Sequence, residues 1–173
     1  WKLALHLLAE MDSCGIKADV VSYSSSISAC ERDLLWNLAL GLLLDMETRH
    51  VRPNTVSYNA SISVCDRTHR WNLALLLLAR MQHMRLQPDE VTYNSTISAL
   101  ERGKQWRLGL QLLAEMIWQG LLPDVITYSS CISACSKGQQ WKLALHCLAR
   151  MRQQGVQANV VSYGASISAC EKG

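Results

Sequence analysis

The chain has 173 residues, 49% of them hydrophobic and 18% charged, with a net charge of +3. That balance suits stacked helices around a continuous apolar core and excludes a disordered polyelectrolyte, while so small a charge does not by itself argue for nucleic acid. The longest apolar stretches, such as Leu73 to Ala79, fall well short of the roughly 18 residues of a membrane span, and the chain reads as soluble.

Trp1, Trp36, Trp71, Trp106 and Trp141 stand 35 residues apart, and the columns that begin with Met11, Tyr23, Ile27 and Ser28 keep the same period. Such a period marks a repeat architecture, in which each unit is one supersecondary element that buries its apolar face only against its neighbours. In chain order, helices are expected over 1–13, 20–31, 36–48, 55–66, 71–83, 90–101, 106–118, 125–136, 141–153 and 160–171. The first kind carries Tyr23, Ile27 and Cys30 at i, i+4 and i+7, repeated as Tyr58, Ile62, Cys65 and as Tyr93, Ile97, Leu100; the second carries Trp36, Leu40, Leu43 and Met46 as one stripe. Links such as Arg102-Gly103-Lys104-Gln105 end the first helix with a Gly suited to a C-terminus, and Pro53, Pro88 or Pro123 followed by Asn or Asp opens the next unit with a cap. The expected organisation is one all-α solenoid, with partial repeat 1–19, full repeats 20–54, 55–89, 90–124 and 125–159, and partial repeat 160–173. Opening and closing mid-repeat, the chain is expected to be a piece of a longer array.

Cys30, Cys65, Cys135 and Cys170 share one column in which the third repeat has Leu100, so buried free thiols are expected there. Cys131 and Cys135 lie four apart, but no second pair or spaced His completes a zinc site. No metal or cofactor is expected. The Trp and Met columns lie on the apolar stripe and are expected in the core, whereas Trp118 stands outside its column and is expected at the surface.

Helix pairs of this period, written Val-Val-Ser-Tyr-Ser-Ser-Ser-Ile-Ser-Ala-Cys and Trp-Asn-Leu-Ala-Leu-Gly-Leu-Leu-Leu-Asp-Met with a later Pro-Asn or Pro-Asp, resemble the pentatricopeptide repeat family. The tetratricopeptide repeat, with its shorter period and Trp-x-x-Leu-Gly-x-x-Tyr pattern, is not matched. The Trp column and the Ser-rich first helix depart from the commonest form of the family. The resemblance implies a right-handed α-solenoid that binds single-stranded RNA, one base per repeat. It implies base recognition by Ser24 with Asn54, Asn59 with Asp89, Asn94 with Asp124 and Ser129 with Asn159. By the family code, Ser with Asn favours adenine and Asn with Asp favours uracil, giving a core of 5′-AUUA-3′ with the 5′ end toward the N-terminus. It implies that Val21, Val56, Val91, Ile126 and Val161 wedge between successive bases. Arg32, Arg67, Arg102, Lys137 and Lys172, basic in every unit, would meet phosphates.

Read from the residues alone, each column has a plainer use. Asn and Asp before a helix serve as caps, Ser24, Asn59, Asn94 and Ser129 as exposed first-turn polar residues, the Val column as packing between repeats, and the basic column as complement to helix C-terminal dipoles. A helical scaffold for an extended protein segment is the alternative function, although it gives no reason to restrict the pairs to Ser, Asn and Asp. No His-x-Glu with Cys-x-x-Cys and no compact carboxylate cluster is present, so no catalysis is expected of these repeats. The resemblance implies a role in organellar RNA processing, editing, stability or translation, in chloroplast or mitochondrion, with other RNA-processing proteins as further partners and neither a membrane nor a small-molecule substrate.

Overall fold

A computed structural model describes residues 1–171. Among them the secondary structure is entirely helical: α1 (Lys2–Ser13), α2 (Val20–Arg32), α3 (Trp36–Thr48), α4 (Thr55–Arg67), α5 (Trp71–His83), α6 (Glu90–Arg102), α7 (Trp106–Trp118), α8 (Val125–Lys137), α9 (Trp141–Gln153) and α10 (Val160–Glu171). The fold is an all-α helical repeat, as the sequence led us to expect. The first helices of the full repeats run one residue further than predicted and so take Arg32, Arg67, Arg102 and Lys137 into their last turn.

Even-numbered helices start on a side-chain cap. Asp19, Asn54, Asp89 and Asp124 are extended and accept the amide three residues on, and Ser57, Thr92 and Thr127 return the bond to complete capping boxes. Odd-numbered helices start without one. They follow a tight reversal in which Leu34, His69, Lys104 or Gln139 takes positive φ and the next amide bonds back to Cys30, Cys65, Leu100 or Cys135, a Schellman ending. The left-handed residue is thus Lys104 or Gln139, and the expected Gly103 and Gly138 keep ordinary φ values of −77° and −88°. Gly138 is glycine for room, because a Cβ there would stand 2.2 Å from Cδ1 of Trp106.

The chain forms two compact units, Trp1–Pro88 and Asp89–Gly173. Within the first, α2 packs on α1, α3 and α4, and α4 packs on α3 and α5. Within the second, α6 packs on α7 and α8, while α8 packs on α7, α9 and α10. Tyr23, Tyr58, Tyr93 and Tyr128 are fully buried beside Ile27, Ile62, Ile97 and Ile132. Each phenol finds an acceptor near the end of the second helix of its own repeat: Asp45, Met84 Sδ, Glu115 and Gln154 respectively. Burial, with the Asp45 bond second, pushes the Tyr23 hydroxyl up to about 12.

Met46, Met81, Met116 and Met151 are completely buried, as expected, and Met11 is half-buried. The Trp column is not in the core. Trp36, Trp71 and Trp106 are half-buried, with Trp1 and Trp141 more open still. Standing at the first position of its helix, the ring lies over the turn of the following repeat: Arg70 sits 4.5 Å from the centroid of Trp36, and Trp106 fills the space at Gly138. These indoles staple neighbouring turns. Cys30, Cys65 and Cys135 are buried free thiols, but Cys170, expected with them, is exposed. Burial pushes Cys65 up to about 11, which keeps it protonated and unreactive. Trp118 is 86% exposed.

Candidate nucleic-acid interface

Within each unit the residue after a Tyr stands beside the Asx cap of the next even-numbered helix, and in the first unit the first-turn valines join them. In the first unit, Val21, Val56, Ser24 and Asn54 line one depression of about 420 Å³, together with Val20, Ser25 and Ser28. Its floor is a chain of hydroxyls. Ser24 Oγ donates to the Val20 carbonyl at 2.7 Å and lies 2.9 Å from Ser57 Oγ, which donates to Asn54 Oδ1 at 2.9 Å. The Ser57 amide donates to the same Oδ1 at 3.0 Å, so the carbonyl end of the Asn54 amide is held inward and its NH₂ is directed away from the helix.

The second unit repeats this plan with different groups. Asn94 Nδ2 donates directly to Asp124 Oδ2 at 3.1 Å, while the single Thr127 hydroxyl lies between Asn94 Oδ1 and, at 2.9 Å, Asp124 Oδ1, within donating reach of either. Ser129 Oγ stands 2.9 Å from Ser162 Oγ, which donates to Asn159 Oδ1 at 2.9 Å, matching the Ser24 arrangement. The structure therefore brings together three of the four pairs named from the sequence, each inside one unit. Asn59 and Asp89 belong to different units, and their assignment rests on their columns.

Ser24 and Ser129 are buried, at 7% and 8% exposure, not the exposed first-turn residues of the plainer reading. Asn59 and Asn94 are half-buried. The caps are real: Asn54, Asp124 and Asn159 all accept the third amide of the helix they precede. At Asp19 the amide and then the hydroxyl of Ser22 hold the carboxyl below its ordinary range. Capping uses one oxygen and leaves the outer atom of each side chain for another partner. Ser57, Thr127 and Ser162, which tie Ser24, Asn94 and Ser129 to the caps, were missed. Their signal was present as an unbroken Ser/Thr column at 22, 57, 92, 127 and 162.

Val21, Val56, Val91, Ile126 and Val161 are exposed at 56 to 64%, so they do not pack between repeats. The basic column has partners of its own. Arg67 pairs with Glu31 at 3.0 Å and Lys137 with Glu101 at 2.6 Å, and the same carboxylates accept Ser63 and Ser133. Beyond the dipole role foreseen from the sequence, these cations link one repeat to the next. Arg32 is exposed, Arg102 is engaged, and Lys172 lies outside the described residues. No group of three or more His, Cys, Asp or Glu among the described residues is placed to hold a metal ion, and no helix among them is long and apolar enough to cross a membrane.

Sequence profiles of the PPR repeat family match residues 53–102, 88–137 and 123–172, and the pentatricopeptide repeat domain matches 6–68. The chain belongs to the pentatricopeptide repeat family. No curated protein matches it. Among solved structures it is similar to the pentatricopeptide repeat protein PPR10 in complex with an 18-nt psaJ RNA element, at 26% identity and a TM-score of 0.78 over 91% of this chain and 23% of that one. PPR10 from maize superimposes at a TM-score of 0.82 and 19% identity, over 94% of this chain and 23% of that one. The PPR domain of Arabidopsis thaliana protein-only RNase P 1, in complex with tRNA, matches at 0.77 and 15% identity over 85% of this chain and 78% of that one, and shows the fold alone. These pentatricopeptide repeats span 23% of the length of PPR10.

Proposed function

We propose that the chain binds single-stranded RNA sequence-specifically, one base per repeat, through Ser24 with Asn54, Asn59 with Asp89, Asn94 with Asp124 and Ser129 with Asn159. The observation that carries this is the first-unit depression, where two exposed valines flank a hydroxyl and an amide held in fixed orientation. A base seated there has apolar contact on both faces and a hydrogen-bonding group at its edge. RNA-bound PPR10, among the matched structures, supports the same reading.

Edge chemistry supports the proposed core 5′-AUUA-3′. Where Asn54 or Asn159 presents NH₂ outward, the available group is a donor, which suits the N1 acceptor of adenine. Where Asp124 presents a carboxylate, it is an acceptor only, which suits the N3–H of uracil. Size agrees as well: a short, recessed Ser leaves depth for a purine, and the longer Asn94 suits a pyrimidine. Selection of bound RNAs from a random pool tests this directly. Enrichment of AUUA supports it, and a bound pool without base preference would remove it.

In this proposal the repeats recognise RNA and do no chemistry on it, within organellar RNA processing, editing, stability or translation. A second reading, a scaffold for a protein partner, has one observation in its favour: an apolar depression of about 480 Å³ between α3 and α5, where Leu44 and Leu76 stand exposed.

A further inference from the structure

Five turns connect an odd-numbered helix to the next even-numbered one, and each needs a residue with positive φ. Gly15, Gly120 and Gly155 supply it in three. In the other two the residue is His50 or Arg85, at φ 59° and 58°. A side chain with a Cβ is disfavoured at such a position, so these two turns keep a basic group where glycine folds more easily.

The same turns of the first unit carry Arg52, two residues before Asn54. Arg52 and Arg85 are both exposed, and with Pro53, Met84 and Leu86 they line a depression of about 400 Å³. Neither guanidinium is engaged by a side chain of the described residues. An adjoining depression holds His50 and Glu47, and the Glu47 carboxylate, paired with Arg80, makes it the poorer place for an anion. The matching turns of the second unit read Gly120-Leu121-Leu122 and Gly155-Val156-Gln157 and carry no charge. The cationic edge thus belongs to one unit.

We infer that Arg52 and Arg85 form a phosphate-binding site for the RNA backbone, separate from the base-facing depressions and from the basic column at the ends of the even-numbered helices. It engages nucleotides beyond those whose bases are read. The inference rests on the RNA-binding reading above. Two unpaired guanidinium forks facing one recess suit phosphodiester oxygens, and the position of Arg52 beside Asn54 puts the recess within reach of a strand read at that cap.

The test compares the chain with R52Q/R85G and with R107Q/K142Q, which removes two cations elsewhere. Replacing Arg85 by Gly relieves the positive φ, so the first variant is expected to melt no lower than the parent. Binding is measured to an AUUA tetramer, to the same core flanked by cytidines, and to an all-cytidine oligomer of that length. R52Q/R85G is expected to bind the flanked RNA about tenfold more weakly, with the salt slope reduced by about 1.4 for two lost phosphate contacts. Its tetramer affinity and its preference for the core should be unchanged. Equal binding of the flanked RNA by R52Q/R85G and parent overturns the inference, as does an equal loss in R107Q/K142Q. If the parent shows no preference for AUUA over cytidines, base reading fails, and the arginine dependence of the longer oligomers still decides this site.

Discussion

The depression at Ser24 and the pair at Asn94 are built by the same steps and present opposite chemistry. In both, an Asx cap is fixed by the amide and hydroxyl of a Ser or Thr three residues on, and that hydroxyl reaches back to the residue after the preceding Tyr. At the first the outward group is the NH₂ of Asn54; at the second it is the carboxylate of Asp124, already bonded to Asn94. The frame is set by the caps, which the helices need in any case, and in the proposed reading base identity is set by the one atom the cap does not use. On that reading a repeat can change what it prefers without changing how it folds.

The sharpest test of this comparison converts one site into the other. Asn94→Ser with Asp124→Asn should move the base preferred there from uracil to adenine. A mismatched base that leaves an edge donor or acceptor unpaired costs about 1 to 3 kcal/mol, or roughly 5- to 150-fold between matched and mismatched oligomers. Both new residues already occupy the equivalent places at Ser24 and Asn54, so the melting temperature should hardly change. Titration with the four single-base variants would sink the comparison if the preference stayed on uracil.

A smaller effect is expected from the flanking valines. Val56→Ser alters a side chain that is 58% exposed, so stability should move by less than about 0.5 kcal/mol. Affinity should fall by roughly 1 kcal/mol, at the low end of a stacking contact. Loss of stability without loss of affinity, read from thermal unfolding beside RNA titration, would return the column to packing.

The hydroxyl bridge gives a test whose effect falls on stability. Thr127→Val keeps the shape of a fully buried residue and leaves the Asp124 cap on the backbone amide, so unfolding should cost about 1 kcal/mol less. Discrimination at that base should weaken because Asn94 is no longer held from behind. Full discrimination in the variant would show the hydroxyl to be a cap partner and nothing more.

The helices were legible because their signals are local: Asx caps, Leu and Ala stripes and a fixed period recur in each unit, so every boundary fell within a residue. The Trp column misled because periodicity places a residue on an apolar stripe without saying what covers it. At the first helical position the ring lies over a turn of the next repeat, and that turn is glycine at 138 because Trp106 needs the space. The pairing of Ser24 with Ser57 and of Glu31 with Arg67 crosses between repeats. Position within a unit cannot reveal such contacts, although the Ser/Thr column and the alternation of acid with base were in view.

The smallest expected effect concerns the basic column, where the two units agree. Arg67 and Lys137 are each held by the carboxylate of the preceding repeat, Glu31 and Glu101, so a phosphate must compete with an internal partner. Their contribution to the salt dependence of binding should then be muted compared with that of Arg32. Glu31→Gln with Glu101→Gln keeps an oxygen for Ser63 and Ser133 and removes the charge. Partly exposed ion pairs contribute little, so stability should drop by roughly 0.5 kcal/mol or less for each. If the freed cations face the RNA backbone, the slope of log K against log salt should steepen by about 1.4, at −0.7 for each single-strand contact, and all RNA sequences should gain alike. A slope that stays at the parent value would mean that the column serves to join repeat to repeat, and that the phosphates lie elsewhere.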